Sequence, residues 1–178
     1  MGWGGNDIGP AWVCHNLLAR MQIQRTHFLD NRLPPLLVAI GVAAIMRGAV
    51  ALAPNLSVPF PGREPVAFVL VLVGALVIAA GLASFTRHKT TVNPFKPATA
   101  STLVDSGIYG WTRNPMYLGV VFALLGYAAF LSHPLALLGI GIFPAYMTRF
   151  QIGREERALE RVFGEAYEAY RKRVPRWL

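Results

Sequence analysis

The sequence predicts an all-α, polytopic integral membrane protein with about four transmembrane helices and a C-terminal amphipathic helix on the cytoplasmic face. Three observations carry this fold class. Of 178 residues, 54% are hydrophobic and only 15% charged, whereas a soluble domain averages about a quarter charged; the mean hydropathy is +0.41. Residues 66–85 are 20 consecutive positions without a charge, and 114–148 hold no Asp, Glu, Lys or Arg over 35 positions. The basic residues gather on one side of these runs, as the positive-inside bias requires. A length of 178 residues predicts one domain.

Residues 1–33 carry Trp3, Trp12, Arg20, Arg25 and Arg32 but no apolar core followed by a cleavage site. They read as a tail or an interfacial segment rather than a signal peptide. The membrane-embedded domain is expected at 34–178. Pro34-Pro35 opens the first span, because proline is tolerated where its missing donor costs nothing. That span, about 36–53, contains Arg47, six residues or about 9 Å of rise from its end, within reach of the interface by snorkelling.

A proline-rich turn at 54–65 leads to the second span, about 66–85, where Gly74, Gly81, Ala75 and Ala79 offer small surfaces for close helix packing. The uncharged run after it is too long for one span. Ser132-His133-Pro134 marks a turn, giving spans at about 116–131 and 135–148, each short. Pro144 should bend the last. Alternating strand segments are absent from this pattern, which excludes a porin-type barrel.

Arg20, Arg25 and Arg32 precede the first span, and Arg87, Lys89, Lys96 and Arg113 lie between the second and third. This distribution puts both termini, and the segments 86–115 and 149–176, in the cytoplasm. The net charge of +8 therefore reads as headgroup attraction and not as a nucleic-acid footprint. One cysteine, Cys14, supplies no disulfide framework. His15, His27, His88 and His133 have no ligand spacing, so no metal site is expected.

The segments 86–115 and 149–176 hold the polar chemistry. The first contains Ser101-Thr102-Leu103-Val104, then Gly107-Ile108-Tyr109 and Arg113-Asn114-Pro115-Met116-Tyr117-Leu118-Gly119. Loops of such length in a compact protein tend to be functional. In the second, Leu159, Phe163, Ala166 or Tyr167, and Tyr170 recur at helical spacing. Glu155 and Glu156 stand where the last span leaves the bilayer, against the basic preference there, and so should have partners such as Arg113, Arg149 or a ligand. Hydroxyls, tyrosines, an arginine and carboxylates at a membrane surface suit a zwitterionic cofactor. A carboxylate can take two ribose hydroxyls, and aromatic rings can cover a cation.

In these residues, together with Glu155-Glu156-Arg157-Ala158-Leu159, residues 163–170 and Val174-Pro175, the chain resembles the isoprenylcysteine carboxyl methyltransferase family. That family lies within the wider group of phospholipid methyltransferase-like membrane enzymes, and the likeness covers about residues 86–176. The resemblance implies S-adenosyl-L-methionine as methyl donor. Ser101, Thr102, Leu103 and Val104 would form one wall, Tyr109 a second contact, and Asn114, Pro115, Met116 and Tyr117 the cofactor corner. Glu155 would reach the adenosyl part, with Glu156 as the neighbouring candidate, and Arg113 and Asn114 would position donor or acceptor during catalysis.

The resemblance also implies a lipidic or small hydrophobic acceptor entering from the bilayer, and a location in a prokaryotic inner membrane. Eukaryotic-type members carry histidine in place of both Ser101 and Asn114, and an arginine attributed to acceptor handling in place of Gln151. The donor half is thus retained, while a carboxylate, amine or thiol acceptor stays open. A small membrane scaffold that keeps the fold without the activity is the other reading.

Overall fold

The computed structural model describes residues 33–87 and 102–178. Ser101 and nearly all of the expected N-terminal interfacial segment lie outside the described residues, which are helices, turns and extended connections without a strand. Helix α1 spans Pro35–Leu52, α2 spans Arg63–Arg87 and α3 spans Pro115–Leu131. Helix α4, Leu138–Met147, is entered through a 3₁₀ turn at Pro134–Leu137 and left through a π turn at Thr148–Ile152. Helices α5, Gly153–Phe163, and α6, Glu165–Arg173, complete the chain.

Three helical stretches are long and apolar enough to cross a membrane: Pro35–Leu52, Arg63–Arg87 and the continuous 30-residue run Pro134–Phe163. This corrects the expectation of four spans at 36–53, 66–85, 116–131 and 135–148. Helix α3 has 17 residues, or about 26 Å of rise against a hydrocarbon core of about 30 Å. It is held short at both ends. Asn114 precedes a proline and is kept out of helical geometry at φ −130°, ψ 54°, and Ser132 turns left-handed at φ 50°. Pro144 lies inside α4 without ending the helical run, which continues through the π turn into α5.

The expected single amphipathic helix is also divided. Gly164 adopts φ +51°, a conformation that glycine takes without a Cβ penalty, and separates α5 from α6. Of the two alternatives at the helical repeat, Tyr167 is buried and Ala166 exposed.

Helices α2 and α3 form the most extensive interface, an antiparallel pair. Its small residues recur every seven positions: Ala67, Gly74 and Gly81 on α2, and Gly119 and Gly126 on α3. A Cβ on Gly74 would run into the Gly119 carbonyl, and one on Gly119 would lie 2.6 Å from the Gly74 carbonyl and 2.5 Å from Ile78 Cγ1. One on Gly126 would meet the Ala67 carbonyl at 2.8 Å. Backbones can approach this closely only where side chains are missing, which is how apolar helices gain packing energy in lipid. Ala75 and Ala79 face outward instead.

Helix α1 closes the other side. Val38, Val42 and Met46 pack with Tyr117, Leu124 and Ala128 of α3, and with Ala136, Phe143, Met147 and Ile152. Outward-facing Leu36, Ile40, Phe68, Leu72 and Leu76 are exposed, the inverse of a soluble surface and the pattern for lipid contact. Arg47 is likewise exposed.

At the end of the bundle where α1 stops, His133 is buried. Its Nδ1 accepts from the Leu135 amide at 3.2 Å, so Nε2 carries the proton and donates to the Ala53 carbonyl at 2.9 Å. His133 is a structural staple there, closing a turn that also pairs the Val58 amide with the Ser132 carbonyl.

At the opposite end the C-terminal tail folds back across the start of α3. The Arg113 amide donates to the Pro175 carbonyl at 3.0 Å. Thr112 Oγ1 and Asn114 Nδ2 both donate to the Arg176 carbonyl, at 3.2 and 2.9 Å. Glu156 fastens the arrangement: Arg176 Nε and Nη2 donate to its two oxygens at 3.0 and 2.6 Å, while Arg113 Nη1 lies 3.2 Å from Oε1. Beneath the tail, Tyr167, Tyr170 and Val174 form a second core with Leu103, Leu159 and Phe163.

This packing makes two variants informative. Gly119→Leu should abolish the folded α2–α3 pair, read as loss of the monodisperse peak and of cooperative melting in detergent. Gly141→Leu, at a glycine with open space around it, should leave both in place. Glu156→Ala leaves Arg113 buried without its counter-charge and should destabilise by about 3–5 kcal/mol, whereas Glu168→Ala, which removes an exposed pair with Lys172, should cost less than about 1 kcal/mol. Thermal unfolding in detergent measures both.

Candidate functional site

The polar residues that sequence reasoning singled out gather at the tail end of the bundle and divide into two groups. The first surrounds Glu155. Tyr117, in the first turn of α3 and buried, donates from its hydroxyl to Glu155 Oε1 at 2.7 Å. Gln151, one helical turn before Glu155, is 2% exposed and interacts electrostatically with both. Its Nε2 nevertheless completes no aligned hydrogen bond among the described residues. The amide lies beside the Glu155 carboxylate and the Tyr117 hydroxyl, and its incomplete alignment leaves donor capacity that a bound group could complete.

Tyr109 joins this group from the 3₁₀ turn Gly107–Gly110. Gly107 has φ +63°, a left-handed conformation that glycine takes without a Cβ penalty; a Cβ there would make only ordinary contact with Ser84 Oγ, at 3.5 Å. The Tyr109 ring meets Phe85 edge-on, with centroids 5.4 Å apart, and its carbonyl accepts from Tyr170 Oη at 2.8 Å. Burial pushes the Tyr109 phenol well above its ordinary pKa, and the neighbouring Tyr170 and Glu155 push it further. Tyr109 is therefore a neutral hydroxyl at any physiological pH, available as a donor beside Glu155.

The second group surrounds Glu156, which is 9% exposed and shared by Arg113 and Arg176. Hydrogen bonding to Glu156 holds the Arg176 guanidinium above its usual pKa. Arg113 Nη1 is close enough for the ion pair but lacks the alignment of a hydrogen bond, and its Nε is unmatched among the described residues.

Adjacent positions of a helix point about 100° apart, and this separates the two neighbours within α5. The π turn before them adds one residue to a helical turn and so rotates both together by roughly 100° relative to the faces of α4. Glu155 reaches Tyr117 and Glu156 reaches the tail, although they are adjacent in sequence.

The remaining candidates are spread around these two groups. Thr102 is exposed, Leu103 packs against the tyrosine core, and Val104 is buried. Asn114 is buried with its amide on the tail carbonyl. Pro115 is buried, and Met116 lies against Gly81, its Cγ 3.0 Å from where a Cβ would stand. Gln151, Tyr170 and Arg176 were not among the residues singled out as cofactor contacts. Their spacing from Tyr109, Tyr117 and Glu156 carries no sequence signal, apart from the departure at Gln151.

The family model described as phospholipid methyltransferase matches residues 63–166. Protein-S-isoprenylcysteine O-methyltransferase of Xenopus laevis is 29% identical over 110 residues, covering 62% of this chain and 38% of that protein. The Homo sapiens enzyme of the same name is 36% identical over 74 residues, covering 42% and 26%. An uncharacterized protein of Haemophilus influenzae is 44% identical over 63 residues, 35% of this chain and the whole of that protein. The match thus spans well under half of the named enzymes. No solved structure matches. The family match runs from the start of α2 into α6, across the glycine-packed pair and both carboxylates, and the chain belongs to the phospholipid methyltransferase family of integral membrane proteins.

Proposed function

We propose that this chain is an S-adenosyl-L-methionine-dependent methyltransferase of the membrane that methylates a lipidic or small hydrophobic acceptor. The observation that carries the reading is the convergence of Tyr117, Glu155 and the buried Gln151 amide at one end of an apolar bundle. These groups fit the donor. Glu155 would accept from ribose hydroxyls, Tyr109 and Tyr117 would flank the sulfonium and adenosyl parts, and residues 101–104 would form one wall. When bound, the donor supplies an electrophilic methyl group on sulfur, and its transfer leaves S-adenosylhomocysteine.

The residues of this chain contribute position and dryness to that transfer. Tyr117 orients Glu155 through its hydroxyl. The tail, fastened by Glu156, Arg113 and Arg176, covers the corner at Asn114 and Pro115 and excludes water there. Arg113 and Asn114, expected to touch donor or acceptor, are assigned here to holding that cover. In-line methyl transfer needs little beyond alignment and water exclusion. Gln151 is a neutral amide, which suits an acceptor recognised by hydrogen bonding rather than by ion pairing. Carboxylate, amine and thiol acceptors all have the required nucleophilic atom. The excess of Arg and Lys at this end of the bundle supports a cytoplasmic site, with 86–115 and 149–176 as its two halves.

Calorimetric titration of the purified protein with S-adenosylhomocysteine tests the reading. Glu155→Gln and Tyr117→Ala should each weaken binding by about tenfold or more, as expected for loss of a charge-assisted hydrogen bond worth at least ~1.4 kcal/mol. Glu165→Ala, on the exposed start of α6, should stay within about twofold of wild type. A folded, monodisperse wild-type sample that binds no S-adenosylhomocysteine would sink the enzyme reading in favour of a scaffold that keeps the fold.

A further inference from the structure

We infer that the outward face of the last long helix carries a binding site for the phosphate headgroup of one anionic phospholipid, separate from the Tyr117–Glu155 site. A cleft of about 490 Å³ opens there between the π turn and the C-terminal tail, with Thr148, Arg149, Gly153, Arg157 and Trp177 among its lining residues. Gln151 and Glu155 lie two positions from Gly153 on either side, roughly 200° around a helix from it. The cleft and the candidate donor site therefore occupy opposite faces of one helix.

The chemistry of the lining is that of a headgroup seat. Arg149 and Arg157 are exposed, and among the described residues neither lies in an ion pair with a carboxylate. Arg149 rests over the Phe150 ring at 5.4 Å. Trp177 forms one wall, its indole N–H donating to Thr148 Oγ1 at 3.3 Å, an amphipathic ring of the kind enriched at membrane–water interfaces. Gly153 keeps the floor open: a Cβ there would meet the Thr148 carbonyl at 3.5 Å and Arg157 Nη1 at 3.7 Å.

Below the cleft the same helix face is apolar and outward. Leu138 is 61% and Ile142 41% exposed, with Ala145 between them and Arg149 at helical spacing. From Leu138 to Arg149 is about 16 Å of rise, a length along which an acyl chain can lie. Two uncompensated guanidiniums above a lipid-facing strip complement a phosphodiester attached to acyl chains. A soluble phosphate would use the arginines and leave the strip idle.

Native mass spectrometry of the full chain in detergent tests this, with phosphatidylglycerol and phosphatidylcholine of identical acyl chains as probes and inorganic phosphate as competitor. Phosphatidylglycerol should bind with one-to-one stoichiometry and be preferred over phosphatidylcholine. Arg149→Gln with Arg157→Gln should weaken it by at least about tenfold. Gly153→Leu, which fills the cleft and keeps both arginines, should weaken it comparably, and it decides the matter if the double variant fails to fold. Arg171→Gln with Lys172→Gln, the same charge change on α6, should have less than about a twofold effect. Equal losses in the two double variants would reduce the effect to bulk charge and overturn the site. Full retention of the lipid in folded Gly153→Leu would do the same. Displacement by inorganic phosphate at concentrations that leave the acyl strip irrelevant would reassign the cleft to a soluble anion.

Discussion

Glu156 is the residue on which the polar end of this structure depends. It is a nearly buried carboxylate between Arg113, at the entry to α3, and Arg176, in the C-terminal tail. A charge in that position is tolerable only because it is paired on two sides, and the pairing ties together three stretches far apart in sequence. With the tail fastened, its carbonyls become acceptors for the Arg113 amide, Thr112 and Asn114. The tail then covers the tyrosine core beneath it. Glu156 supplies the charge pairing at the junction of bundle and polar end, beside the neutral bonds from Tyr117 to Glu155 and from Trp177 to Thr148.

Its neighbour is released for a different task by the same arrangement. Arginine charge goes to Glu156, while Glu155 turns to a tyrosine hydroxyl and a buried amide. A carboxylate that faces neutral donors keeps acceptor capacity for ligand hydroxyls. One that is spent on two guanidiniums does not. This division favours Glu155 over Glu156 as the donor-binding carboxylate in the proposed function.

The bundle itself is built for lipid, where no hydrophobic gain drives helices together. The α2–α3 pair answers with glycines at a seven-residue repeat, so that packing and close backbone contact replace the hydrophobic effect. This explains how a helix of only 17 residues is held in the assembly: it lies along a 25-residue partner rather than standing alone in the bilayer. It also sets the depth of Tyr117, because the pairing fixes α3 against α2.

Local hydropathy and periodicity are enough to specify the helical membrane class, the long uncharged runs, the turn at Ser132-His133-Pro134 and the packing glycines of α2, Gly74 and Gly81. They do not specify Ala67, which packing adds, or Ala75 and Ala79, which it turns outward. Residue chemistry alone also brings forward the tyrosine–arginine–Asn-Pro stretch and the paired glutamates as the polar machinery. Packing settles the matters that these local signals leave open. The π turn shifts helical phase by an amount that no local pattern records, and so it sets which way both glutamates face relative to α4. Arg176 and the Asn114 amide meet because the tail folds back over more than sixty residues of chain. Helix α3 is short because a pre-proline residue and a left-handed serine bound it, whereas α4 continues past Pro144 to Met147 and on through the π turn into α5. Each of these outcomes depends on long-range pairing or helical phase, which exist only once the chain has packed.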